Sequence, residues 1–370
     1  MKEIDKLLFE LIRVAIGNQV CLSRVPSTDE WNALYGLSLK QAVAGVCFYG
    51  VQGLPKEQLI TMPVQLKLQW VALAAQIQAR NELMNRRCVE IQDMLAQDGF
   101  RSFIMKGQGV ATLYCDRDCN HIGHYRQSGD IDVYVEGGYE NVMEYVNRTF
   151  PTKEVNELEI HYHCFNDAEV EIHFKPFTLR NPITNRRLQR FFNKECEECL
   201  SNCIPLSTGG EITVPTFRFN LVHQLVHIYH HFFTEGIGLR QLMDYYFVLK
   251  ASPQPSYDRE SALSLIKSMG LQRFVGAVMW VMQEVFELER DFLLCEPEEK
   301  GGRIVLKEII QRGNFGKMAD DKINLGNHWT SFWYINSKAI RFMRFDPWAW
   351  FWTPITRLYY YVWRKVNGFE

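Results

Sequence analysis

The spacing of apolar residues changes at residue 99 and changes back near residue 180, and few architectures accommodate such a switch. Before Gly99, apolar positions recur every three or four residues over 5–16, 39–52 and 65–97, which predicts helices. The last of these runs follows Pro63 and stops at Gly99, which predicts one helix of about nine turns. From 99 to 178 the pattern becomes short and alternating: FRSFIMKG, DIDVYV, KEVNELEIHYHCFN and EVEIHFKP, the last two around the turn-forming Asn166-Asp167. GVATLYC reads as a helix start between the first two strands, and 139–149 reads as a helix after the second. Helical spacing returns from 185, strongest over 217–250 and 256–291, with a short hairpin or loop expected at STGGEITVP (207–215). The expected class is α+β, a small mixed β-sheet core over 99–180 between a helical N-terminal region, 1–98, and a helical C-terminal region, 181–370.

A chain of 370 residues can bury a large core, and its formal net charge of −2 supplies no overall basic field for a polyanion. Glu10 and Arg13 interrupt the apolar start, so no secretory leader is expected, and no window reaches 18 uncharged apolar residues. The expected location is the cytoplasm, where the ten cysteines would be free thiols. Cys196, Cys199 and Cys203 stand at i, i+3 and i+7, and we read them as one packed helix face, since no fourth metal ligand lies nearby.

Asp130 and Asp132 raise the chemical question. In a strand they share a face, with Cα atoms about 6–7 Å apart, while Ile131, Val133 and Val135 face the other way. Neighbouring carboxylates repel, and burial raises the pKa of at least one unless a cation neutralises them. Oxygen ligands favour Mg²⁺ or Mn²⁺. Glu171 on a later strand offers a third acid, with Glu169 on the same face as the alternative. The plainer reading is a solvated strand face. Lys106, Gly107 and Gly109 form a strand-to-helix turn that would present free N–H groups and a cation to a phosphate, although such turns also use glycine for conformation alone.

The order of strand, glycine turn, helix, paired aspartates and a later acid resembles the nucleotidyltransferase superfamily typified by DNA polymerase beta. IMKG, RQSGDIDVYV, VEIHF, LVHQLVHIYHHF and LRQLMDYYFVL are similar to a group of uncharacterised bacterial nucleotidyltransferase-like proteins, over roughly residues 30–320. The resemblance implies transfer of a nucleoside monophosphate from an NTP, ATP first among them, to an acceptor that is a small molecule, a protein or tRNA. It implies Mg²⁺ or Mn²⁺ held by the catalytic Asp130, Asp132 and Glu171, with Lys106, Gly107, Gln108, Gly109 and Arg126 on the phosphate side. The chain departs from the pattern at Gln108, where Gly or Ser is usual, in the long insertion between Gly107 and Asp130, and in having Glu as third acid. The first two departures motivate an alternative, a catalytically inactive nucleotide-binding or protein-interaction module of the same fold.

Other candidates have ordinary explanations. His223 and His227 are spaced as in a zinc-protease helix, but Gln224 stands where that chemistry needs a glutamate; with His230 they read as packing or cleft residues. His161, His163 and His173 flank the acidic face. Arg240 and Asp244, four apart, read as a pair on a helix surface. The aromatic and basic tail after Arg341 reads either as a packed helix pair or as a peripheral membrane or partner contact.

Overall fold

The computed structural model describes residues 1–251, 257–314 and 328–369. Helices α1 (Glu3–Ala15), α2 (Thr28–Lys40), α3 (Ala44–Gly53) and α4 (Val64–Gln97) precede the sheet. The 34-residue α4 organises the molecule. Its buried positions Leu66, Trp70, Ala74, Ile77, Asn81, Met84, Cys88, Ile91 and Leu95 follow one another at three or four residues, a single stripe along one face. The first part of that stripe packs into a mainly helical core with Trp31 and Phe48, and the last part, from Met84 to Leu95, packs under the sheet. One helix therefore ties the two apolar cores together.

The sheet contains β1 (Ser102–Ile104), β2 (Ile131–Val135), β3 (Glu159–His161) and β4 (Val170–His173) in the order β1-β2-β4-β3. β2 and β4 are parallel, and the outer pairings are antiparallel. Ile131, Val133, Val135, Val170 and Ile172 point into the second core, with Val142, Tyr145 and Val146 of α6 (Gly138–Thr149). Strand alternation then sends Asp132, Glu171 and His173 to the opposite face. The α+β class follows from this small mixed sheet set among many helices.

Between β1 and β2 the chain makes the four-residue α5 (Gln108–Ala111) and a 3₁₀ turn, Gly123–Tyr125. This insertion is anchored. Asp116 accepts from the Asn120 amides and from the Tyr49 hydroxyl, 2.6 Å away, while a Cβ on Gly45 of α3 would stand 2.2 Å from the Tyr125 carbonyl.

After the sheet come α7 (Pro182–Cys199), the hairpin β5 (Cys203–Pro205) and β6 (Glu211–Thr213), α8 (Phe217–Phe233) and α9 (Leu239–Ala251). Next are α10 (Tyr257–Ser268), α11 (Gln272–Phe286), α12 (Glu299–Arg312), α13 (His328–Arg341) and α14 (Ala349–Asn367). The two long helices expected over 217–250 and 256–291 are each divided. Gly236, at φ +116°, lies in the first break and Gly270, at φ +80°, in the second, both in backbone that side chains resist. Cys196 and Cys199 are buried on α7 as expected, but Cys203 is exposed on β5, because the helix ends at Cys199 before a seventh position can align. No helix among the described residues is long and apolar enough to cross a membrane.

Candidate active site

β2 and β4 pair in a register that sets Asp132 directly opposite Glu171 and Tyr134 opposite His173. Asp130 immediately precedes β2. Asp130, Asp132, Glu171 and His173 line a cavity of about 360 Å³, closed on the other side by α8 and α9 through His223, His227, Arg240 and Asp244. Its size suits a small ligand. Glu169, the alternative third acid, is exposed at the strand end and stands outside the lining.

Two cations sit among the carboxylates. Lys106 Nζ lies 2.6 Å from Asp132 Oδ1. His173 Nε2 lies 3.1 Å from the same oxygen, 3.1 Å from Glu159 and 3.8 Å from Glu171. Burial alone would discharge His173, but Glu159, Asp132 and Glu171 outweigh it and push its pKa up to about 10. It is therefore a donor to these carboxylates. Burial also pushes Asp132 up, yet Lys106 and His173 more than offset this and hold it well below the usual carboxylate range. Asp130 is raised, by Asp132 first and burial second, and Glu171 is raised chiefly by burial. Four carboxylates thus face two cations, and two of the four stay above their ordinary range.

Atoms of Asp132, Glu171 and His173 suited to a metal lie within 4.8 Å of one another. With His173 protonated, the convergent ligands are oxygens, which fits a hard divalent cation, and the uncompensated charge on Asp130 and Glu171 is what such an ion would neutralise. The residues present fit Mg²⁺ or Mn²⁺.

The glycine turn contributes unevenly. Lys106 and Gly107 line the cavity, whereas Gln108 and Gly109 do not. Gln108 is buried and donates through Nε2 to Asn85 Oδ1 on α4 at 2.5 Å. A Cβ on Gly109 would lie 3.0 Å from the Ile104 carbonyl, so that glycine serves close packing. On the far side, Arg126 forms a buried two-pronged pair with Asp244, at 2.7 and 2.8 Å, which Tyr114 joins through a hydrogen bond of 2.6 Å. Asp244 therefore pairs with Arg126, not with Arg240 along the helix surface. Arg240 instead donates to the Gln127 carbonyl, at 3.0 Å. Arg126 Nη1 has no partner among the described residues, an unspent donor on a residue that lines the cavity. Asn81 of α4 fixes this segment by donating to the carbonyls of His124 and Arg126.

A model of the family described as uncharacterised nucleotidyltransferase matches residues 27–287. The chain belongs to that family. Membership in this nucleotidyltransferase family supports nucleotidyl transfer in general and an NTP as substrate. An antigenic nucleotidyltransferase-like protein from Paracoccidioides brasiliensis is similar in structure over 51% of this chain and 88% of its own, at 12% identity and a TM-score of 0.30. No curated protein matches the sequence.

Sequence reasoning missed part of the nucleotidyltransferase-family cavity. Glu159 faces His173 across β3 and β4, a partnership that the alternation in ELEIHYH allowed but did not single out. His227 Nε2 lies 3.2 Å from Lys106 Nζ and 3.0 Å from His231 Nε2, and His231 meets Glu235 at 2.7 Å. Burial first and Lys106 second hold His227 neutral, so its ring nitrogen accepts from the lysine. His161 lies 3.8 Å from Glu171, and His163 faces Glu154 at the surface.

Proposed function

We propose that this chain transfers a nucleoside monophosphate from an NTP, ATP first among them, to an acceptor hydroxyl of a small molecule, a protein or tRNA. The observation that carries the reading is the register of Asp132 opposite Glu171 on parallel strands, with Asp130 beside them at one cavity. In this reading the core over 99–180 handles the nucleotide, α8 and α9 of the C-terminal region wall the acceptor side, and the chain works in the cytoplasm.

Asp130, Asp132 and Glu171 would hold Mg²⁺ or Mn²⁺. The ion would supply charge neutralisation on the phosphates, in addition to that of Lys106. Arg126 offers its unpaired Nη1 to a phosphate oxygen. Glu171, whose pKa burial raises, takes the proton of the acceptor hydroxyl as its oxygen bonds to the α-phosphorus. The bond from the α-phosphorus to the bridging oxygen breaks, and pyrophosphate leaves. His173 keeps its proton and holds the Asp132 and Glu171 side chains in place.

The inactive-module reading draws on Lys106, which occupies an oxygen of Asp132, and on Gln108, which turns away from the cavity. Pyrophosphate release decides between them, measured with each NTP, Mg²⁺ or Mn²⁺ and a broad acceptor screen. Release that disappears in Asp132→Asn supports transfer. ATP binding by calorimetry without turnover supports the module, and a screen without release in which Asp130→Ala also leaves metal binding intact overturns the transfer reading.

A further inference from the structure

Helix α14 is apolar on two faces, and only one of them is covered. Inward, Thr353 is buried and accepts from Arg180 at 2.9 Å, and the Trp363 ring stands 5.9 Å from Tyr139 of α6. Outward, Phe351, Ile355, Leu358, Tyr359, Val362 and Val366 recur at four, three, one, three and four residues, which is one stripe on a helix. All six are exposed, Leu358 by 61%, Tyr359 by 62% and Val366 by 79%. Scattered exposed apolar residues need no explanation, but a continuous stripe over four turns of a helix does.

We infer that this stripe seats α14 on an anionic lipid surface. Helix α14 carries no acidic residue, and of its three basic ones Arg357 and Arg364 lie on the covered side, where Arg357 donates to Ser331 at 3.1 Å, which leaves Lys365 beside the stripe. Lys365 is exposed on the flank of the stripe, within reach of lipid head groups. Trp348, 61% exposed, extends the stripe at the N-terminal end with a ring suited to the boundary between water and hydrocarbon. The 19-residue helix is not apolar enough to cross a membrane, so it lies in the interface. A second copy is a poorer occupant. Two copies of α14 facing each other would offer no carboxylate to either Lys365.

The test uses the full chain and vesicles of phosphatidylcholine alone or with about 30 mol % phosphatidylglycerol, separated by flotation. The wild type should bind the anionic vesicles about tenfold better than the neutral ones, and added salt should reduce the difference. Leu358→Glu/Val362→Glu, at two solvent-facing positions, should lose vesicle binding while keeping the wild-type melting temperature. Lys365→Glu, on the flank, should weaken binding without abolishing it. Absence of binding by the wild type, or equal binding by the double variant, overturns the inference. Sedimentation without lipid closes the remaining route: a dimer that the double variant dissociates would assign the stripe to a second copy instead.

Discussion

Lys106 Nζ stands 2.6 Å from Asp132 Oδ1, nearer than His173 at 3.1 Å, and both groups of the ion pair are largely buried. Removing one partner of such a pair leaves a charge without compensation, at a cost of about 3 kcal/mol. Lys106→Met in chelator should therefore unfold at a lower denaturant concentration than the wild type. Mg²⁺ or Mn²⁺ should stabilise this variant more than the wild type, because the ion replaces the missing charge. A variant as stable as the wild type without metal would show that the pair contributes nothing.

Arg126 and Asp244 connect the segment before β2 to α9, with both side chains almost wholly enclosed. Arg126→Ala should lower stability by about 3 kcal/mol in denaturant titration. Arg126→Lys should recover little, since an ammonium cannot reproduce two parallel N–H donors. Full recovery by lysine would mean that charge alone matters at this position.

Gly107 adopts φ +57° and ψ −111°, outside the wells open to residues with a Cβ. Gly107→Ala should cost about 1–3 kcal/mol and shift the turn that presents Lys106. Calorimetry should then show weaker binding of ATP with Mg²⁺. Unchanged stability and unchanged binding would remove the turn from the site.

Lys338 of α13 is buried, donating to the Thr234 carbonyl at 3.2 Å, with Glu308 3.5 Å away. Burial, opposed by Glu308, pushes its pKa from 10.5 down to about 8. Through that window the unfolded chain holds a proton that the folded chain has lost, so stability from this group rises with pH, and below it the penalty is constant. Relative to Lys338→Met, the wild type should gain stability between about pH 8 and about pH 10, read from denaturant midpoints. A pH-independent difference between the two proteins contradicts this.

The features that were legible in the sequence depend on local periodicity. The stripe of α4 repeats at helical spacing, and Asp132 and Glu171 stand out as acids between apolar neighbours on either side in their strands. What was hidden depends on distant partners. Arg126 meets Asp244 across 118 positions and Lys106 meets His227 across 121, and no pattern within either segment encodes those meetings. Gln108 turns toward Asn85 because α4 passes beneath the turn, a fact of packing. Cys203 misled for the opposite reason: helical spacing was extended past the point where the helix ends.

Binding of a divalent metal together with a triphosphate by Asp130, Asp132 and Glu171 is what the proposed transfer requires. A crystal structure with a non-hydrolysable ATP analogue and Mn²⁺ tests it directly, through the anomalous signal of the metal. The expected result is Mn²⁺ held by these carboxylates beside the analogue's phosphates, with Arg126 Nη1 turned to a phosphate oxygen. A triphosphate bound elsewhere, or a cavity in which Lys106 still holds Asp132 and no Mn²⁺ is present, would contradict it.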